Sequence, residues 1–143
     1  MLKKVIKFVD IDGNDAEETA YFNLTKIEFL RLSGELGERG DLSAGLKKLV
    51  AAEDYGKMLN AIEKVILTSY GIRDTNSNGF VKTSALRERF SSSIPYSEFF
   101  ISLLNDPEAL KEFASALEAG AKNKSETKPG VDPIAMAQAA MQS

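Results

Sequence analysis

The sequence predicts a mostly α-helical domain that opens with a β-hairpin and continues as a bundle of about five or six short helices. Three observations carry that prediction. A run rich in β-branched and aromatic residues, Val5 to Asp10, is followed by the turn dipeptide Asp12-Gly13 and a second alternating run, Glu17 to Phe22. Apolar residues then recur at spacings of three and four, most clearly at Tyr55, Met58, Leu59, Ile62, Val65, Ile66 and Tyr70. Residues that cap helices stand ahead of each such run, among them Thr25, Asp54 and the Asp106-Pro107 pair.

The hairpin is expected over residues 4–23, with Ala20 and Phe22 on one face of its second strand and Thr19 and Tyr21 on the other. A lone hairpin is marginal in water, so it must pack on helices or pair with another copy. The helical body is expected over 25–120. Thr25 and Glu28 have the spacing of a capping box ahead of Ile27, Phe29, Leu30 and Leu32. Gly34, Gly37 and Gly40 are expected to break the chain, and Asp41 or Ser43 to cap a second helix carrying Leu42, Leu46, Leu49 and Val50. Asp54 caps the third and longest stripe, with Gly71 placed as its C-terminal stop. Ile72 to Gly79 reads as a polar loop and Phe80-Val81-Lys82 as a short extended stretch. A fourth helix starts at Thr83 or Ser84 and ends in Ser91-Ser92-Ser93. A fifth opens at Pro95 and carries Tyr96, Phe99, Phe100, Leu103 and Leu104. A sixth follows Asp106-Pro107 with Leu110, Phe113, Ala114 and Leu117, and Gly120 is its expected stop. Two units result: a folded domain over 1–120 and a tail over 121–143. The tail starts polar and holds no aromatic residue. Its end, with Ile134, Met136, Ala137, Ala140 and Met141, has the spacing of a short helix over 133–141, set against a frayed terminus as the simpler reading.

Composition excludes more chemistry than it suggests. The chain has 143 residues, a formal charge of −3, and no His, Cys or Trp. No disulfide and no Cys- or His-based metal site can form within it, nor can a Ser-His-Asp or Cys-His nucleophile. No glycine-rich phosphate loop occurs, and the adjacent carboxylates Glu17-Glu18 and Glu53-Asp54 point apart or into solvent on a strand or helix end. The expectation is a non-enzymatic protein without cofactors. The acidic balance and scattered basic residues argue against nucleic acid as a partner. No apolar run approaches the ~20 residues of a membrane span, and no signal-peptide core precedes Asp10, so a cytoplasmic protein with no membrane partner is expected. Asp74-Thr75-Asn76-Ser77-Asn78-Gly79 matches the first half of a calcium loop, but Ala85 stands where a bidentate Glu belongs, so a polar loop is the expected reading. The oxygen cluster at Asp10, Asp12, Asn14 and Asp15 is read as hairpin-turn chemistry.

A series of short strings stands in a specific order along the chain. They are Tyr21-Phe22-Asn23-Leu24-Thr25-Lys26-Ile27-Glu28 after the hairpin, Glu53-Asp54 before the long helix, and Ile66-Leu67-Thr68-Ser69-Tyr70-Gly71 at its end. Gly79-Phe80-Val81-Lys82, Arg89-Phe90, Tyr96-Ser97-Glu98-Phe99-Phe100, Leu103-Leu104 and Phe113 follow. Taken together, the series resembles the tail assembly chaperones of long-tailed bacteriophages, and the likeness spans about residues 4 to 118. Ile94-Pro95 departs from the family's small residue before the Tyr, which a helix start tolerates. The resemblance implies a short-form chaperone that binds the tape measure protein, keeps it soluble and promotes tail tube assembly by non-covalent binding. It further implies the tail tube protein as a partner, a longer frameshifted form of the same protein, location in the host cytoplasm and absence from the mature virion.

Such a protein needs apolar surface and reversible self-association. A homo-oligomer, ring or spiral, is expected. Candidate oligomer or client contacts are Val5, Phe8, Tyr21 and Phe22 on the hairpin and Phe99 and Phe100 on the helical body, with core packing the competing reading for both aromatic pairs. The alternative function is a small helical adaptor or regulatory protein binding another protein or DNA.

Overall fold

The computed structural model describes residues 1–74 and 79–122. Residues 75–78, with most of the calcium-like loop, and the tail from 123 onward, with the candidate helix at 133–141, lie outside the described residues. The hairpin consists of β1 (Leu2–Val9) and β2 (Asp15–Phe22), paired antiparallel from Leu2 opposite Phe22 to Val9 opposite Asp15. Asp10 builds the turn. Its carboxylate accepts the N–H groups of Asp12 and Asn14 at 3.0 and 2.9 Å, and its carbonyl accepts that of Gly13 at 3.0 Å. The Asp10 carboxylate is thus spent on turn hydrogen bonds, an Asx arrangement.

Six helices follow: α1 (Lys26–Glu35), α2 (Leu42–Ala51), α3 (Tyr55–Ser69), α4 (Ser84–Ser91), α5 (Ile94–Asn105) and α6 (Pro107–Lys122). The capping chemistry is local and forms as the sequence dictates. The Thr25 hydroxyl accepts the Glu28 N–H at 3.2 Å while the Glu28 carboxylate accepts the Thr25 N–H at 2.9 Å. Asp41, Asp54, Thr83, Ser93 and Asp106 each accept an N–H from the first turn that follows.

Four features differ from the sequence reading. The helix carrying the longest stripe stops at Ser69, and Tyr70–Asp74 is a strand, β3, that adds to the open edge of β2. It turns back into β4 (Gly79–Val81), so the sheet has four antiparallel strands in the order β1-β2-β3-β4, and the stretch from Ile72 is not a loop over its whole length. Gly71 is therefore a strand residue and not a helix stop. A Cβ there would lie 2.6 Å from both the Phe80 ring and the Val81 carbonyl oxygen, a contact that only glycine avoids. Gly34 lies within α1, and the chain breaks after it, where Gly37 and Gly40 take positive φ. Finally, α6 runs through Gly120 to Lys122. Burial of Ala121 and the bond from Lys122 Nζ to the Gly40 carbonyl at 3.2 Å hold that last turn against the α1–α2 loop.

One core joins sheet and helices, and its centre is aromatic. Phe22 stacks on Phe99 at 5.2 Å between ring centroids and meets Phe113 edge-on, also at 5.2 Å. Tyr70 stacks on Phe90 at 3.9 Å, and Phe22 touches both. Ile6 and Ala20 cover the cluster from the hairpin, and Ile62, Val65 and Ile66 from α3 extend the same buried core. Tyr55, at the start of the α3 stripe, is 60% exposed and takes no part.

A half-buried ion pair ties α1 to the end of the sheet. Lys82 donates to the Glu28 carboxylate that also closes the capping box. Burial is the largest influence on each charge and opposes both. For Glu28 it is outweighed by donors from Lys82 and Thr25, and the carboxyl sits below its ordinary value. Lys82 has one acceptor against a deeper burial, and its ammonium is lowered. The shifts oppose each other in stability, so the pair fixes where β4 meets α1 more than it adds net stability. A carboxyl lowered by folding stabilises the protein above its unfolded value and loses that contribution as pH falls through the folded one. Acid unfolding of the wild type should therefore begin in the carboxylate range, and Glu28→Gln should flatten that limb of a stability-against-pH curve followed by circular dichroism.

Candidate binding surfaces

The six candidate contact residues separate into two groups. Phe22 and Phe99 are buried, 0% and 7% exposed, and stacked on each other inside the core, where neither a client nor a second copy reaches them. Strand parity explains the first: Phe22 shares its face with Ala20, which packs on the helices. Val5 is 51% exposed, and Phe8, Tyr21 and Phe100 are half-buried. Phe100 packs edge-on against Tyr96, whose hydroxyl burial pushes up to about 12, with Glu63 adding to the effect.

The hairpin offers two surfaces. The half of its inner face nearest the turn is only partly covered, and Phe8 and Ala16, with the residues flanking them on both strands, line a groove of about 830 Å³ closed on one side by Glu98 of α5. Its outer face carries Lys3, Val5, Lys7 and Val9 on β1 and Asp15, Glu17, Thr19 and Tyr21 on β2. Ile11 at the turn is 90% exposed.

The helical body contributes a narrower groove of about 340 Å³ between α2 and the start of α6. Leu46, Val50 and Leu110 form its floor, and Lys47, Lys111 and Glu108 its rim. The sequence reading gave Leu46 and Val50 to the apolar set of the second helix and Leu110 to that of the sixth, and missed the groove. Nothing local marks it, because it arises only when α2 and α6 pack together.

The strings that carried the resemblance converge in space. Phe22, Tyr70, Phe90, Phe99 and Phe113, each from a different string, build the aromatic core. Glu28 and Lys82, from two of them, form the half-buried ion pair, and Gly71 and Phe80 make the tight β3–β4 contact. The likeness is thus one of core architecture. Compared with known families, the sequence matches the family described as phage tail assembly chaperone over residues 1–124. The chain belongs to the phage tail assembly chaperone family. No curated protein and no solved structure matches it.

This tail assembly chaperone thus has a role in bacteriophage tail assembly. The strings that carry the resemblance supply the aromatic residues that hold the fold together. The surfaces just described lie largely outside those strings.

Proposed function

We propose that this tail assembly chaperone binds the tape measure protein, keeps it soluble and promotes tail tube assembly around it, acting by non-covalent contacts and as a homo-oligomer. The observation that carries the reading is the family match across residues 1–124, which takes in every described element. The surfaces support it. A long helical client presents amphipathic faces, and the α2–α6 groove supplies an apolar floor with two lysines on its rim, the form in which grooves receive such helices. The reading includes the tail tube protein as second partner, a longer frameshifted form, and action in the host cytoplasm before the virion is complete.

Co-expression with the tape measure protein tests this. The client should move from the insoluble to the soluble fraction and co-purify with the chaperone. A client that stays insoluble, with no complex recovered, would contradict the proposal. Lys47→Glu reverses a charge on the exposed rim of the groove. It should reduce the recovered client at least severalfold while leaving the thermal melt of the chaperone close to wild type.

A further inference from the structure

We propose that the outer face of the hairpin is a self-complementary docking surface for a second copy of this chain, related by a two-fold axis that runs along the strands. The proposal rests on the homo-oligomer reading above and names the surface that would carry it.

The inner face of the hairpin is committed to the core through Ile6, Ala20 and Phe22. The outer face is covered by no described element, and Val5 and Val9 on it are 51% and 55% exposed. Its charges are sorted by strand. The outer residues of β1 include Lys3 and Lys7, and those of β2 include Asp15 and Glu17, all four exposed. None of the four makes an ion pair with another described residue. A basic column thus lies beside an acidic one, with Val5, Val9, Thr19 and Tyr21 filling the rest of the face.

Two faces of this kind can meet about a two-fold axis in two ways. An axis in the plane but across the strands sets β1 over β1 and lysine over lysine, which is repulsive. An axis along the strands sets β1 of each copy over β2 of the other, and the pairing within the hairpin then gives the register between copies. Lys7 is paired with Glu17, Val5 with Thr19 and Lys3 with Tyr21 within one chain. In the dimer, Lys7 of each copy therefore lies over Glu17 of the other, Val5 over Thr19, and the Lys3 ammonium over the Tyr21 ring, a cation–π contact. Edge-to-edge joining through β1 is disfavoured, because Lys3, Lys4 and Lys7 on an edge strand repel a second copy of it. Two eight-residue strands offer less area than the roughly 1,600 Å² of a standard interface, so the dimer should be weak, reversible and sensitive to salt.

Sedimentation velocity on the full chain, over a range of concentration at low and high salt, tests this with Lys7→Glu and Glu17→Lys. The wild type should dimerise at low salt and dissociate as salt rises. Each single variant should weaken dimerisation at least tenfold, since each sets like charges over one another twice. An equimolar mixture of the two variants should dimerise again, and so should the double variant K7E/E17K. Unchanged thermal melts of the variants exclude a folding defect, and Val5→Asp, which leaves the Lys7–Glu17 pair in place, should also abolish the dimer. A wild type that is monomeric throughout would overturn both the oligomer and this surface. Association that survives both single variants would overturn the surface alone.

Discussion

Phe22→Ala should cost about 3–5 kcal/mol, the range for truncating a buried Phe. That is a large part of the ~5–15 kcal/mol by which domains are stable. The size follows from position. Phe22 is fully buried at the end of β2 and its ring touches those of Tyr70, Phe90, Phe99 and Phe113, which come from β3, α4, α5 and α6. Removing it opens a cavity where four elements meet, and rings held by one another have little freedom to fill it. A lowered urea midpoint at unchanged slope is the expected readout. Val5→Ala, on the outer face of the same hairpin, should change stability by no more than about 0.5 kcal/mol, because a surface site carries no such burial. Comparable losses for the two variants would mean that the aromatic cluster is not the keystone described above.

Gly71→Ala should be the next most damaging change, at roughly 1–3 kcal/mol, the cost of forcing atoms into a packed site. The added methyl would sit 2.6 Å from the Val81 carbonyl oxygen as well as from the Phe80 ring. A ring can swing aside, but a carbonyl in the ladder cannot move without loosening β4. The damage should be local, appearing as faster amide exchange in β3 and β4 before the helical body is affected. Gly34→Ala provides the contrast. That glycine is helical with nothing within 4 Å of the added carbon, so the same substitution there should stabilise α1 by about 0.5–1 kcal/mol. Opposite signs for the two variants in one denaturation experiment would separate a glycine required by packing from one that is only permitted.

What the sequence disclosed and what it hid divide by distance along the chain. The capping box at Thr25 and Glu28, the caps at Asp54 and Asp106, and the hairpin turn at Asp10 to Gly13 depend on neighbours within four residues, and all formed as the sequence implies. The α3 stripe is equally local, yet it runs on to Tyr70, where the chain has already left the helix. The reason is the β2 edge, nearly fifty residues earlier, which offers Tyr21 and Phe22 as ladder partners to Gly71 and Tyr70. No local pattern encodes that competition. Gly120 misleads for a related reason: a glycine should end a helix unless the next turn has something to pack on, and here Ala121 and Lys122 do. Among the candidate contacts, alternation along β2 already separates Phe22 from Tyr21, but it does not say which face is buried. Packing on the helices decides that, and it removes Phe22 and Phe99 from the binding surface. The α2–α6 groove and the charge columns of the hairpin are properties of assembled elements, and motif strings, which trace the core, do not carry them.

The central claim is that this chaperone protects the tape measure protein by binding it. The most direct measurement is light scattering as denatured tape measure protein is diluted into buffer containing increasing amounts of the purified chaperone. Aggregation should fall in proportion to the chaperone added and vanish at a fixed molar ratio, with the client recovered in a soluble complex. Aggregation that proceeds at the same rate and to the same extent in an excess of chaperone would contradict the account.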